Sequence, residues 1–149
     1  MKLRTVVYDG DEEIVISCRE RDDKIIFIED LIKNAIGQND SLLLTSGDVQ
    51  YFIPIKEILF CESFEGHTIC HTKDKVLNSA YKLYELEKIL SPMFCRASKS
   101  TLINCREVYS IRKNLAGASE VSFRSTPKKA YLSRSYYKMF MEKINEMRT

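Results

Sequence analysis

The sequence predicts an α+β fold that is predominantly β. An antiparallel array of short strands carries one internal and one C-terminal helix, and a small ββα unit precedes it. Three observations predict this. From Ser41 onward, apolar and β-branched runs recur at intervals of about ten residues with turn residues between them. Apolar residues at helical spacing occur in only three places. The charge also changes sign along the chain. Residues 1–40 hold six basic and ten acidic residues, whereas 41–149 hold seventeen and eleven.

The elements follow in order. Leu3–Tyr8 and Glu13–Ser17 read as strands, and Asp9-Gly10 between them is a hairpin signal. Asp22–Ile36 reads as a helix because Ile25, Ile28, Leu31, Ile32, Ala35 and Ile36 share a face; Asp22 is its N-cap and Gly37 its C-cap. Gly37-Gln38-Asn39-Asp40-Ser41 is a polar connector, so the predicted division is 1–40 and 41–149. Strands are then expected at Leu42–Ser46, Gln50–Pro54, Ile58–Ser63, Thr68–Thr72 and Lys75–Ser79. A helix over Ala80–Leu90 carries Leu83, Leu86 and Leu90 in register, and Pro92 ends it. Further strands are expected at Cys95–Ser98, Val108–Lys113, Glu120–Phe123 and Lys129–Leu132. Ser133 caps a last helix, Arg134–Met147, whose apolar side is Met139, Phe140, Ile144 and Met147.

At 44% hydrophobic residues the chain has material for a core. It shows neither an apolar run of membrane-spanning length nor a secretory signal, so a cytoplasmic protein is expected. The five cysteines are odd in number, none lies in a C-x-x-C pair, and they read as reduced core or near-core thiols. No phosphate loop, H-E-x-x-H or G-x-S-x-G motif occurs, so neither catalysis nor a cofactor is expected. Cys61, His67, Cys70 and His71 lie close enough in sequence to suggest zinc or a Cys–His enzyme. Against that, adjacent Cys70 and His71 in a strand point to opposite faces.

The chain's most informative charge pattern lies between Arg96 and Lys138. Ten basic residues face only Glu107 and Glu120 there, in a protein of net charge +2. Such a concentration suits a polyanion, because each neutralised phosphate releases a counterion. Two classes fit it: a nucleic-acid-binding protein, or an interaction module for an acidic protein partner. Within Phe94–Asn104, Arg96, Ser98, Lys99, Ser100, Thr101 and Asn104 are all donors, as phosphate oxygens require. Lys99 also has the reach to bond a guanine edge. The bland alternative is an exposed strand and turn, with Asn104 capping locally. Ser133 and Arg134 open a helix whose free N–H groups suit a phosphate. His67, after Gly66, is placed at a hairpin tip.

Three blocks together resemble the LytTR family, the DNA-binding domain of LytR/AlgR-type bacterial transcription regulators. They are Ile53–Ser63 with Tyr84-Glu85-Leu86 downstream, Phe94–Asn104 in the pattern F-x-R-x-S-K-S-x-x-I-N, and Leu132–Tyr136. The resemblance covers about Leu42 to Ile144. It implies an elongated antiparallel β domain that meets double-stranded DNA with loops in successive major grooves and bends it. It further implies base contacts from His67, Lys99 and Arg134. Arg96, Ser98, Ser100 and Ser133 are then expected to meet phosphates. Residues 1–40 are too short for the phosphorylatable receiver domain that many relatives carry. They are similar to the leader of receiverless members, some of which pair with a small membrane protein. We therefore expect this unit to mediate homodimerisation or partner binding.

Overall fold

The computed structural model describes residues 1–36, 41–90 and 92–148. Helix α1 (Asp23–Ala35) is followed by β1 (Ser41–Ser46), β2 (Val49–Pro54), β3 (Phe60–Phe64), β4 (His67–His71) and β5 (Val76–Ser79). Next come α2 (Leu83–Ile89), β6 (Phe94–Ser98), β7 (Thr101–Asn104), β8 (Val108–Arg112), β9 (Ser119–Phe123), β10 (Lys129–Leu132) and α3 (Arg134–Arg148). One seven-stranded sheet has the order β2-β1-β5-β4-β3-β7-β6, and a three-stranded sheet the order β10-β9-β8. Every pairing is antiparallel.

Successive residues of a strand face opposite ways, and the central strands use both faces. On one side Cys61, Cys70, Leu77 and Leu102 pack with Leu83, Leu86 and Ile89 of α2, and Phe27 and Leu31 of α1 join them. On the other, Phe60, Ala97 and Ile103 pack with Val121 and Phe123 of the small sheet and with Phe140 and Ile144 of α3. The alternation of Phe60 with Cys61, and of Leu102 with Ile103, therefore sorts the chain into two cores. All three helices and the small sheet are held by it.

The N-terminal hairpin does not form. Leu3–Tyr8 and Glu13–Ser17 make no ladder, and Leu3 and Val7 are 98% and 94% exposed. The bend itself is present: the Tyr8 hydroxyl donates to the Asp11 carbonyl at 2.7 Å, and the Tyr8 ring lies where a Cβ on Gly10 would sit. An isolated two-stranded ribbon with nothing beneath either face is at best marginally stable, which is why the turn forms without the strands. The predicted cap Gly37 and the connector through Asp40 lie outside the described residues. Asp22 does cap α1, accepting from the Ile25 amide at 3.0 Å.

Two further differences have simple causes. Thr101–Asn104 is a central strand rather than an exposed one. Asn104 is fully buried, donating from Nδ2 to the Ile58 carbonyl at 2.9 Å, while its Oδ1 accepts from the Arg106 amide at 3.1 Å. A polar residue ending a strand reads as surface until the partner carbonyl is known. Met139 is 61% exposed although Phe140 beside it is buried, because the apolar stripe of α3 is narrower than its run of large side chains.

Candidate nucleic-acid interface

Strand direction sets the geometry of the site. The strands β3, β5 and β6 finish at one end of the large sheet, where β4 and β7 begin. Between β3 and β4 is a two-residue turn, Glu65-Gly66, with φ of 49° and 79°. Both values are left-handed, as in a type I′ turn, which matches the twist of the flanking strands. The turn sets exposed His67 opposite Phe64 as the first residue of β4. Lys99 and Ser100 form the turn between β6 and β7. The Ser63 amide donates to the Ser100 carbonyl at 2.9 Å, fastening this turn to the end of β3.

The start of α3 joins the same edge. The Ser133 amide donates to the Ala97 carbonyl at 2.8 Å, so the helix begins against the outer side of β6. Arg134, Ser135 and Lys138 are exposed there. From β4 through β3, β7 and β6 to Ser133 is four strand steps, about 19 Å at the usual interstrand spacing. His67, Lys99 and Arg134 thus stand in a row on one edge, contributed by segments far apart in sequence.

The other expected contacts differ in how free they are. Arg96 is half-buried and engaged. Its Nη1 donates to the Lys99 carbonyl at 2.8 Å, and Nε and Nη2 lie 3.4 Å from the Glu87 carboxylate. It braces the Lys99 turn. The Ser98 hydroxyl accepts from the Ser100 amide at 3.2 Å, folding the turn on itself. The Ser133 and Ser135 hydroxyls are 3.2 Å apart.

The basic stretch does not form a single face. Thr126 Oγ1 donates to the Lys73 carbonyl and Lys128 Nζ to the Lys75 carbonyl, so the β9–β10 loop lies at the opposite end of the sheet. Burial holds the Lys128 ammonium below the usual lysine range. Lys129 pairs with Glu120 at 2.6 Å, and Arg124 lies over the Tyr109 ring. Lys113, over Tyr137, is near the start of α3. A residue not singled out from sequence also reaches the edge. Exposed Lys82, just before α2, lines a shallow cavity of about 210 Å3 with His67, Asn78 and Ser79. Only the Thr68–Ser79 pairing of β4 with β5 brings it there.

The zinc grouping is split by the sheet. Cys61 and Cys70 pair on one face, whereas His71 stacks on Phe60 at 4.2 Å on the other and bonds Glu62 at 2.9 Å. Burial lowers the His71 pKa, and Glu62 partly offsets this. No group of three potential metal ligands occurs among the described residues.

The result is a predominantly antiparallel β domain that presents two turns and a helix start, with exposed Lys82, Lys99 and Arg134, along one edge. The chain belongs to the LytTr DNA-binding domain family, whose family model matches residues 48–145, more than half of its length. The fold is also that of a solved LytTr DNA-binding domain of a methyl-accepting/DNA response regulator from Bacillus cereus. The two share 19% identity with a TM-score of 0.65, over 71% of this chain and 97% of that one. No curated protein matches the chain. No helix among the described residues is long and apolar enough to cross a membrane.

Proposed function

We propose that this chain is a cytoplasmic, non-catalytic transcription regulator that recognises a specific sequence in double-stranded DNA through major-groove contacts. The observation that carries the reading is the pair of backbone hydrogen bonds, Ser63 to Ser100 and Ser133 to Ala97, which align His67, Lys99 and Arg134. In this reading those three side chains meet base edges. Ser98, Ser100 and Ser133 meet phosphates, Arg96 adds charge while bracing the Lys99 turn, and Lys82 is added beside His67. The row of about 19 Å is shorter than the roughly 34 Å between successive major grooves on one side of a duplex. Lys82 beside His67, Arg134 at the other end and a bent duplex close that gap, and bending lets flexible base steps contribute to specificity.

Selection from a random duplex pool tests the reading. The expected result is enrichment of one motif that outcompetes random DNA. Retention of all sequences equally, or preference for an acidic protein over DNA, would favour the interaction-module alternative.

Residues 1–40 are assigned to homodimerisation or to binding a partner such as a small membrane protein. Exposed Leu3, Val7 and Ile14, in β-prone segments without a ladder, support this. Removing residues 1–40 is expected to leave the 41–149 domain folded but to lower its oligomeric state or its regulation in cells. A truncated chain unchanged in both would end the idea.

A further inference from the structure

At the end of the fold away from the DNA edge, three elements converge on a cationic pocket. β7 runs from the Lys99 turn to Asn104 and leads into a short helical turn, Cys105–Glu107. β9 ends at Phe123, just before Arg124. α3 starts at the Ser133 edge and, with 15 residues, ends roughly 22 Å from it. Between these ends lies a cavity of about 340 Å3 lined by Arg106, Arg124 and Arg148. Its apolar wall is Val108, Ile144 and Met147, where the second core reaches the surface. Local structure places the arginines. The bond from the Arg106 amide to Asn104 Oδ1 fixes the helical turn that carries Arg106. Ser125, at φ 58°, turns the chain directly after Arg124, whose guanidinium lies 5.7 Å from the centre of the Tyr109 ring. Among the described residues, none of the three guanidiniums joins an ion pair. No acidic residue among those described lines the cavity; Glu107, next to Arg106 in sequence, does not reach it. Arg148 offsets the partial negative charge at the C-terminus of α3, which leaves Arg106 and Arg124 uncompensated.

We propose that this pocket binds a small organic phosphate. A guanidinium presents its N–H groups as a planar fork that matches phosphate oxygens two at a time. Several such groups without a carboxylate favour a doubly charged phosphate monoester over a singly charged carboxylate. The apolar wall suits a carbon skeleton attached to that phosphate. The volume is at the lower end of the range for small-ligand sites, so it holds a single ring-sized molecule and not a duplex. His67, Lys99 and Arg134 stand at the other end of the molecule, so the site is separate from the DNA reading and stands or falls without it. It also gives a role to Arg106 and Arg124, two cations of the basic stretch that the edge leaves unused.

The test is calorimetric titration of the full chain, in the absence of DNA, with phenyl phosphate, inorganic phosphate and phenol. Phenyl phosphate is expected to bind saturably at a single site, several-fold more tightly than inorganic phosphate, and phenol not at all. The double variant Arg106→Gln, Arg124→Gln should weaken phenyl phosphate by roughly tenfold or more, as expected for the loss of charge-assisted hydrogen bonds. Both side chains are exposed, so the variant should keep its fold, which circular dichroism checks. Lys88→Gln, exposed on α2, removes a charge elsewhere and should leave binding unchanged. Absence of saturable binding, an unchanged affinity in the double variant, or an equal loss in Lys88→Gln would overturn the proposal. Inorganic phosphate binding as tightly as phenyl phosphate would also overturn it, because the apolar wall would then contribute nothing.

Discussion

Replacing Phe140 with Ala is expected to destabilise the protein by about 3–5 kcal/mol, the range for emptying a buried aromatic site. Phe140 is 1% exposed and sits in the cluster that joins α3 to Ala97, Ile103 and Leu132. Its ring is the main anchor holding the helix against β6, so little nearby can collapse into the space. The check is a urea titration: the midpoint should fall with the slope unchanged, since both states keep their exposed areas. Met139→Ala is the internal comparison. Its side chain is 61% exposed, and it should cost no more than about 0.5 kcal/mol. Equal losses for the two variants would mean that α3 packs with a different face. The consequence reaches the functional edge, because α3 is what carries Arg134 there.

The contrast between Phe140 and Met139 shows what the sequence makes legible. Period-two and helical patterns located nearly every element from Ser41 onward, because those patterns report burial directly. They fail where burial depends on a distant partner. Asn104 reads as a surface cap until the Ile58 carbonyl is placed beside it. Leu3–Tyr8 reads as a strand because β propensity and a turn are local, whereas a ladder needs a neighbour that this chain does not supply among its described residues. The charge pattern behaved the same way. The stretch from Arg96 to Lys138 is continuous in sequence, yet the antiparallel strands send Lys128 to one end of the fold and Lys99 to the other. Motif order still picked out the two turns and the helix start that share an edge. Lys82 was missed because only strand register, which no local pattern encodes, brings it beside His67.

At its own operator the double variant Lys99→Ala, Arg134→Ala is expected to lose roughly 2–6 kcal/mol of binding free energy. A base-reading side chain contributes about 1–3 kcal/mol, and well-separated sites add approximately. One side chain comes from the β6–β7 turn and the other from the start of α3, so neither occupies the other's space. The loss should be concentrated on the operator, with random DNA weakened less. Salt dependence separates the two ways in which a cation can act. Two charges that only neutralise phosphates contribute about 1.8 to the slope of log affinity against log salt, at roughly 0.9 each. Removing them would lower that slope by this amount and weaken every sequence equally. Removing two base readers should leave most of the slope in place, because Arg96, Lys82 and Lys138 still supply charge near the edge. The measurement is a fluorescence-anisotropy titration at several salt concentrations, on the selected motif and on a scrambled duplex. Equal losses on both, together with the full drop in slope, would reduce Lys99 and Arg134 to counter-charges and remove the alignment of the two turns and the helix start as the source of specificity.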